Sequence, residues 1–557
     1  MGSLDQAAKE VLQQTNFTAI DWVIVICYPM ISVVIGLVVR KYIANMKDFV
    51  TAGQGLGTCL GIATLTGTEL GLITVMYSAE KGFKCGFSSF HIAMVAGIIT
   101  FIVGVTGFMI YRLRSMGVLT IPGFYRRRFG RKTQILGGIM MAAAGILNMG
   151  LFLKVGAMFL VGITGMDPES DALEMVMGFL IALVLLYTCL GGMVSVVLSD
   201  YLQFVVLSIG MVLTTIMAVI KLGWGNIFDT VFEFKGASGF NPVVAPVDGG
   251  DGFGWEYIIW MCFMGLVGCA IWPTSVARAL AADSPKTVKK QFTWASLSYT
   301  IRFLVPYFWG ICAFVFIYTQ NDTLKSLFVA EDGGEPVMSS LYAMPVFMGQ
   351  MLPPVVIGII TAGMIAAFMS THDSYLLCWS SVLTEDIVSP LCNDRISPTV
   401  RIWLTRFFIV LIGVYVFWWG LFYEGSEDVW DYMAVTGGIY ASGAFALMAC
   451  GLYWKRASST GAIFALLTGS TAVVGLSPVK TGIGWWLTNL GSLSEGLWNF
   501  FTYLPGVTYL SQYPGVLQVE ISPARVSLFS FASTFIVMIV VSLLFPDRDP
   551  QSAQESK

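Results

Sequence analysis

The chain has 557 residues, of which 56% are apolar and only 12% are charged, and its mean hydropathy is +0.76. A soluble domain carries about 25% charged residues, so this composition excludes a chain whose whole surface faces water and indicates a protein embedded in the lipid bilayer. The 31 basic and 34 acidic residues give a net charge of −3, which provides no reason to expect a nucleic-acid partner. Ten scattered cysteines and two histidines indicate neither a disulfide framework nor a zinc site.

Apolar stretches of about 20 residues, long enough to cross the hydrocarbon core, recur along the whole chain. They predict an all-α, polytopic membrane protein with about 13 transmembrane helices. The spans are expected at 19–40, 54–78, 87–111, 133–163, 172–190, 193–220, 255–281, 293–319, 351–384, 399–422, 429–453, 458–476 and 524–545. The glycine-rich stretch 476–522 leaves room for one more short span.

Basic loops predict the orientation, because Lys and Arg close to spans are retained in the cytoplasm. The loop after the third span is basic from Arg112 to Lys132, and the next loop is acidic from Asp167 to Glu174. This alternation predicts an extracellular N-terminal segment (1–18), a single transmembrane domain (19–545) and a short cytoplasmic tail (546–557). The first apolar stretch lacks the basic flank of a cleavable leader, so we expect it to be retained as a helix in the cell (plasma or inner) membrane.

Two spans are interrupted by helix-breaking residues. The second span contains six glycines between Gly53 and Gly71, and the seventh combines Gly265 and Gly268 with Pro273. Inside a helix, glycine costs about 1 kcal/mol and proline about 3 kcal/mol relative to alanine. Two interrupted spans at matching positions, five spans apart, predict a transporter built from inverted repeats with a binding site near the midplane. The alternative is close helix packing through small residues.

The ninth span places hydroxyls beside a carboxylate, in the run Ser370-Thr371-His372-Asp373-Ser374. Hard cations prefer oxygen ligands, and these side chains could supply them to sodium. In the alternative, each hydroxyl bonds back to the carbonyl four residues earlier, as is common in membrane helices. Because a carboxylate such as Asp373 is costly inside the membrane without a function, the run favours a sodium site.

These residues resemble the eighth core helix of the solute:sodium symporter family, which includes sodium-coupled glucose, proline, pantothenate and sialic acid transporters. The stretch from Gly191 to Gln203 resembles the family signature, in which a glycine pair is followed by Asp and then Gln, here Asp200 and Gln203. Gly451 to Ala462 resembles the late loop of the family, and Phe83 to Gly86 the end of its first core helix. The resemblance covers about residues 50–470.

The resemblance implies a five-plus-five inverted repeat over about 50–453, with one leading and two trailing helices. It implies a sodium-coupled symporter that imports a small organic solute by alternating access. Such a protein is not an enzyme, and we expect no cofactor, no metal other than Na⁺ as coupling ion and no obligate protein partner. A proton-coupled symporter using Glu69 or Asp373 is the nearest alternative, and a channel or sensor that reuses the fold is another.

The resemblance also assigns ion ligands by position. The common sodium site of the family corresponds to the carbonyls of Gly67, Leu70 and Ala367 with the hydroxyls of Ser370 and Thr371. A second ion is held by some members at positions that correspond here to Asp200, Asp373 and Ser374. Asp200 could instead gate the exit of the ion or be a charge at a helix end.

Thr68, Glu69 and Trp272 are the candidate solute-binding residues. Thr68-Glu69 departs from the neutral or aromatic residues that the family usually has at the first break. Glu69 could bind a hydroxylated or cationic solute, carry a proton, or pair with a base within the bundle such as Lys154 or Arg302. Trp272 could line the solute site or be an ordinary packing tryptophan.

Three further residues of the ninth span and its end are expected to have no transport role. His372 is expected only to pack. Glu385 and Asp386 are expected to form a solvated helix end. No P-loop, nucleophile triad or redox motif is present in the sequence, so an enzyme is disfavoured.

Overall fold

The computed structural model describes residues 6–39, 52–168, 170–244, 253–320, 322–329, 336–423, 428–476, 478–479, 482–483, 486, 507–513 and 516–547. Within these residues, nine helices are long and apolar enough to cross a membrane, and three shorter apolar helices accompany them. The all-α, multi-span architecture is therefore confirmed, while the count of 13 spans stays a prediction. The acidic loop residues 331, 332, 335, 424 and 427, and most of the predicted tail, lie outside the described residues.

The part of the first half that the structure describes contains ten α-helices. They are α1 (Gln6–Gln13), α2 (Ala19–Val39), α3 (Thr58–Glu69), α4 (Leu72–Cys85), α5 (Phe90–Thr106), α6 (Ile110–Ser115), α7 (Ile121–Phe129), α8 (Arg131–Asn148), α9 (Phe152–Thr164) and α10 (Ala172–Leu222). The last of these is one continuous helix of 51 residues where the sequence predicts two spans, 172–190 and 193–220. At 1.5 Å per residue it would be about 76 Å long if straight, which is more than twice the hydrocarbon core.

Among the described residues, the second half contains eleven α-helices of seven residues or more and a hairpin. The helices are α11 (Trp224–Lys235), α12 (Gly254–Ala270), α13 (Pro273–Ala281), α14 (Pro285–Gln320), α15 (Asp322–Phe328), α16 (Ala343–Met351), α17 (Val356–Val382), α18 (Pro398–Phe422), α19 (Val429–Tyr453), α20 (Ser459–Gly469) and α21 (Pro523–Leu544). A π-helical turn, Leu383–Val388, continues α17. The strands β1 (Val507–Tyr513) and β2 (Val516–Ile521) pair antiparallel between α20 and α21, outside every predicted span.

The first predicted break separates α3 from α4. Leu70 leaves the helical conformation at φ −92°, ψ 62°, and Gly71 is extended at φ −78°, ψ 160°. Since α4 begins only at Leu72, the carbonyls of the last turn of α3 lose the helical partners that a continuous helix would give them. The break therefore exposes backbone oxygens inside the bundle.

The second predicted break separates α12 from α13. Pro273 is the first residue of α13, and Trp272 before it is extended at φ −61°, ψ 124°. Proline disfavours the helical conformation in the residue that precedes it, which accounts for the position of this break. The two interrupted spans are thus confirmed at 70–71 and 271–272.

The two broken helices run in opposite directions. The Leu56 N–H donates to the Ala281 carbonyl at 3.0 Å, and the Asp283 N–H donates to the Leu56 carbonyl at 3.0 Å. The start of α3 thus lies beside the end of α13, as expected for two halves with inverted topology.

Helix α17 lies at the centre of the bundle and brings the hydroxyl run to the first break. Nearly all of its side chains are buried, including Ser370, Thr371, Asp373 and Ser374. Helix α18, by contrast, exposes large apolar side chains such as Phe407 and Trp418, as a lipid-facing helix does. The chain therefore lies in the protein interior along α17 and at the surface that faces lipid along α18.

Candidate functional site

The hydroxyls of α17 lie against the freed carbonyls of α3. Ser370 Oγ is 3.5 Å from the Gly67 carbonyl oxygen, and Thr371 Oγ1 is 3.4 Å from that of Thr68. Both hydroxyls therefore point across to the first break. Four of the five predicted sodium ligands lie on these two segments, and the fifth, Leu70, is the residue at which α3 ends.

These oxygen–oxygen distances suit ligands of a cation better than they suit direct hydrogen bonds, which are about 2.7–2.8 Å long between oxygens. Oxygen ligands of Ca²⁺, an ion of nearly the same radius as Na⁺, lie about 2.3–2.6 Å from the metal. Two such ligands at right angles are then about 3.3–3.7 Å apart. The cluster contains neutral oxygens, which match a monovalent cation that must be released again.

Gly71 permits this approach. A Cβ atom at Gly71 would lie 2.2 Å from Thr371 Oγ1, so any larger residue would push α17 away from the break. Gly67 is also close to a neighbouring helix but less tightly, since its Cβ would lie 3.2 Å from the Asp200 carbonyl oxygen. The glycines of the second span thus serve close contact at the break as well as interrupting the helix.

Asp200 of α10 is fully buried beside this cluster. Its Oδ2 accepts hydrogen bonds from Thr64 Oγ1 at 2.5 Å and from Thr68 Oγ1 at 3.1 Å. The Arg278 guanidinium lies 3.4 Å from the same oxygen. Asp200 is therefore an interior carboxylate with an ion-pair partner, and the interpretation as a helix-end charge near water does not fit its burial.

Arg278 also reaches the other two residues assigned to a second ion. Its Nη2 donates to Ser374 Oγ at 2.7 Å, and Ser374 Oγ donates to Asp373 Oδ1 at 3.2 Å. The structure thus brings Asp200, Asp373 and Ser374 together around one guanidinium. Arg278 itself belongs to α13, the part of the second broken helix that follows the break.

A cavity of about 120 Å³ lies next to the proposed sodium site and between the two breaks. Its walls include Thr68, Glu69, Thr371, Trp272 and the aromatic side chains Tyr77, Tyr299, Phe303, Tyr375 and Trp430. Among the described lining residues, only Glu69 and Arg302 carry opposite formal charges. The two line the same space, as expected of groups that recognise a polar solute within an apolar pocket.

Glu69, the last residue of α3, is held by α13 and α14. Its Oε2 lies 3.2 Å from Arg302 Nη1, and its Oε1 accepts hydrogen bonds from Thr274 Oγ1 at 3.0 Å and Ser275 Oγ at 2.6 Å. Both hydroxyls belong to the first turn of α13, where the helix dipole favours a negative charge. Of the two bases considered from the sequence, Arg302 is the partner, whereas Lys154 donates to the Tyr423 carbonyl at 3.3 Å.

The other two candidate solute residues also line the cavity. Thr68 gives its hydroxyl hydrogen to Asp200, as described, so this hydroxyl already has an acceptor. Trp272 Nε1 donates to Tyr375 Oη at 2.8 Å, which fixes the indole between the second break and α17. The Trp272 ring therefore forms a rigid wall of the cavity.

A cluster of charges lies one helical turn beyond the aromatic wall of the cavity, and we call it the ionic latch: Glu80, Lys81, Lys84, Asp428 and Asp431. Lys81 Nζ is 2.6 Å from Asp428 and 3.6 Å from Asp431, and Lys84 Nζ is 2.5 Å from Asp428. The latch joins α4 to the start of α19, and Tyr77 and Trp430, whose ring centroids are 4.8 Å apart, lie beneath it. The latch therefore lies beside the cavity, next to the wall formed by Tyr77 and Trp430.

Two interpretations made from the sequence have different outcomes at the end of α17. His372 packs as expected, with its ring 3.9 Å from that of Phe368. The prediction for Asp386 is wrong, because this carboxylate is buried and accepts hydrogen bonds from Thr120 at 3.0 Å and Gln134 at 2.9 Å. The cause is the packing of α7 and α8 over the end of α17, which the sequence of α17 alone does not reveal.

Arg278 is the main site residue that the sequence analysis missed. The available signal was a charged residue in an otherwise apolar span, which is functional by default inside a membrane. The aromatic residues Tyr77, Tyr299 and Tyr375 were also missed. They carry no such signal, because aromatic residues at helical spacing are abundant throughout this chain.

Comparison with known proteins agrees with this geometry. The family model described as "Sodium:solute symporter family" matches residues 49–469. The chain is 22% identical to the high-affinity proline transporter of Bacillus subtilis (strain 168) over 463 residues, which cover 79% of this chain and 88% of the relative. It is also 22% identical to the sodium/proline symporter of Staphylococcus aureus (strain Newman) over 551 residues, 92% of this chain and 97% of the relative.

The fold is that of a solved sodium-coupled sialic acid symporter in a substrate-bound, outward-open state. The TM-score is 0.71 at 19% identity, and the match covers 95% of this chain and 98% of the symporter. These proteins are transporters and not enzymes. The chain therefore belongs to the sodium:solute symporter family, and its function is sodium-coupled symport of a small solute across a membrane.

Proposed function

We propose that the coupling sodium ion binds at the first helix break, between α3 and α17. The carbonyls of Gly67, Leu70 and Ala367 and the hydroxyls of Ser370 and Thr371 are its ligands. The observation that carries this proposal is the 3.5 Å separation of the Ser370 hydroxyl oxygen and the Gly67 carbonyl oxygen across the break, which matches two ligands of one cation, with the Thr371 hydroxyl directed to the same turn of α3. No charged group is needed among the ligands.

Sodium binding would then organise the solute site. The same break carries Thr68 and Glu69 at the cavity wall, so an ion that fixes α3 against α17 also fixes these residues. Binding of each ligand strengthens binding of the other by the same factor. Alternating access follows when one bundle rocks against the other, with the ionic latch formed on one side of the cavity and broken when that side opens.

The solute is proposed to be a small zwitterion, with one carboxylate and one cationic group. Glu69 and Arg302 together have no net formal charge, so a solute with a net charge would remain uncompensated in an apolar pocket. Arg302 uses Nη1 on Glu69, which leaves other guanidinium N–H groups for a carboxylate. Proline, the solute named for the two sequence relatives described above, is such a zwitterion.

Matched solutes test this proposal. Purified protein in sodium chloride should gain thermal stability when proline is added. Pyrrolidine and cyclopentanecarboxylate each keep one charged group of proline. They should bind at least about tenfold more weakly, because one buried polar group of the site would be left unpaired. Potassium in place of sodium at constant pH should abolish the effect. Equal stabilisation by glucose would contradict the charge argument, and stabilisation that follows pH and not sodium would favour proton coupling through Glu69 or Asp373.

The orientation remains a proposal that rests on the basic-loop rule. In a variant with reduced cysteine content, an impermeant thiol reagent added outside should label cysteines in 164–171 and 325–336 and miss those in 112–132 and 284–291. Ser170→Cys and Ser326→Cys are suitable exposed sites for the first group and Ser115→Cys for the second. Labelling of Ser115→Cys but not Ser170→Cys in intact cells would reverse the proposed orientation.

A further inference from the structure

Arg278 lies among Asp200, Asp373 and Ser374, the residues that the family resemblance assigns to a second cation. Its guanidinium contacts Asp200 at 3.4 Å and Ser374 at 2.7 Å. Through the Ser374 hydroxyl it also connects to Asp373, since that hydroxyl donates to Asp373 at 3.2 Å. All three groups that could ligate a second ion are thus already arranged around one positive charge of the chain.

Only one of the two Asp200 oxygens accepts hydrogen bonds, and Oδ1 accepts none from the part of the chain that the structure describes, so the positive charge of Arg278 is what opposes a second cation here. Asp200 Oδ2 has three donors, Thr64, Thr68 and Arg278, so a cation would have to displace at least the guanidinium to bind it. Arg278 and Asp200 are each about 1% exposed or less, and water cannot readily take over from the lost partner. Two cations beside one buried carboxylate would also repel each other strongly at low dielectric.

We propose that Arg278 is a built-in substitute for a second sodium ion and limits this transporter to one sodium ion per transport cycle. The guanidinium neutralises Asp200 without being transported. It also ties α13 to α10 and α17, which is the role that a second ion between these helices would have. This inference rests on the proposed sodium site at Gly67–Thr371, because that site provides the one remaining ion.

Equilibrium binding of radiolabelled sodium to the purified full-length protein tests the inference without knowledge of the solute. The wild type should saturate at one ion per chain. Arg278→Gln vacates the position and leaves Asp200 as a ligand, so binding should double to two ions per chain. Adding Asp200→Asn to Arg278→Gln removes the ligand charge and should return the count to one. Arg278→Lys, which keeps a positive charge, should also bind one ion.

Arg278→Gln leaves buried carboxylates without their counter-charge and could prevent folding. The double variant Arg278→Gln/Asp373→Ser keeps the formal charge of the cluster unchanged and offers two serine hydroxyls beside Asp200, and it should bind two ions. Two ions in the wild type, or one ion in folded Arg278→Gln/Asp373→Ser, would overturn the inference. If the proposed sodium site at the first break were wrong, sodium binding would be unaffected by Ser370→Ala/Thr371→Ala, and this outcome differs from both of those above.

Discussion

Ser370→Ala and Thr371→Ala are each expected to raise the sodium concentration for half-maximal solute binding by about tenfold or more. A hydrogen-bonding group that serves a charged partner contributes about 1.5–3 kcal/mol, and about 1.4 kcal/mol corresponds to a factor of ten in affinity. The double variant should lose sodium dependence at accessible concentrations. Sodium-dependent thermal stabilisation of the purified variants measures the change.

Two control variants separate ligand loss from damage to α17. Thr371→Ser keeps the hydroxyl and should retain near-wild-type sodium affinity. Thr361→Ala removes a buried hydroxyl of the same helix that bonds to the Ile357 carbonyl at 2.7 Å, far along the helix from the break, and should leave sodium affinity unchanged. Sodium dependence that survives intact in the double variant Ser370→Ala/Thr371→Ala would remove the proposed site.

Glu69→Gln is expected to lower both the stability of the protein and its affinity for solute. The change leaves Arg302 as an uncompensated charge in a largely buried position, and breaking such a pair typically costs about 3–5 kcal/mol. Removing Arg302 as well, in Glu69→Gln/Arg302→Gln, should restore thermal stability. It should not restore solute binding, because the cavity then contains neither half of the charge pair.

The Glu385–Arg401 pair, 2.8 Å apart at the end of α17, provides the matched control. Glu385→Gln should reduce stability less, since this pair is more exposed, and should leave solute affinity unchanged. Full recovery of solute binding in Glu69→Gln/Arg302→Gln would show that the pair is only structural. A stable Glu69→Gln protein with normal solute affinity would contradict both roles.

The positions of the helix breaks and the hydroxyl run could be predicted from the sequence, because each depends on local chemistry. The glycines before residue 72 and Pro273 interrupt the helices in which they lie, and the structure has a break at each of these two places. The assignment of Ser370 and Thr371 to one site with Gly67 came from the family resemblance. The structure places these residues together, with the spacing of cation ligands.

The partners of buried charges could not be predicted, because they depend on how distant helices pack. Glu69 had two candidate bases in spans, and only the packing of α14 against the first break brings Arg302 to it. Arg278 and Asp200 are 78 residues apart in sequence, and neither span contains a pattern that points to the other. The burial of Asp386 likewise depends on α7 and α8 covering the end of α17.

The charge balance beside the sodium site has a consequence for the membrane potential. Asp200, Asp373 and Arg278 together carry a formal charge of −1, and one bound sodium ion brings the sum to zero. With a net-neutral solute, the loaded transporter would then move almost no charge as it changes orientation. The return of the empty transporter would move one negative charge outward, and an inside-negative potential favours that step by about 2.3 kcal/mol per 100 mV. Voltage would thus accelerate turnover through the empty protein and leave the affinity for external sodium nearly unchanged.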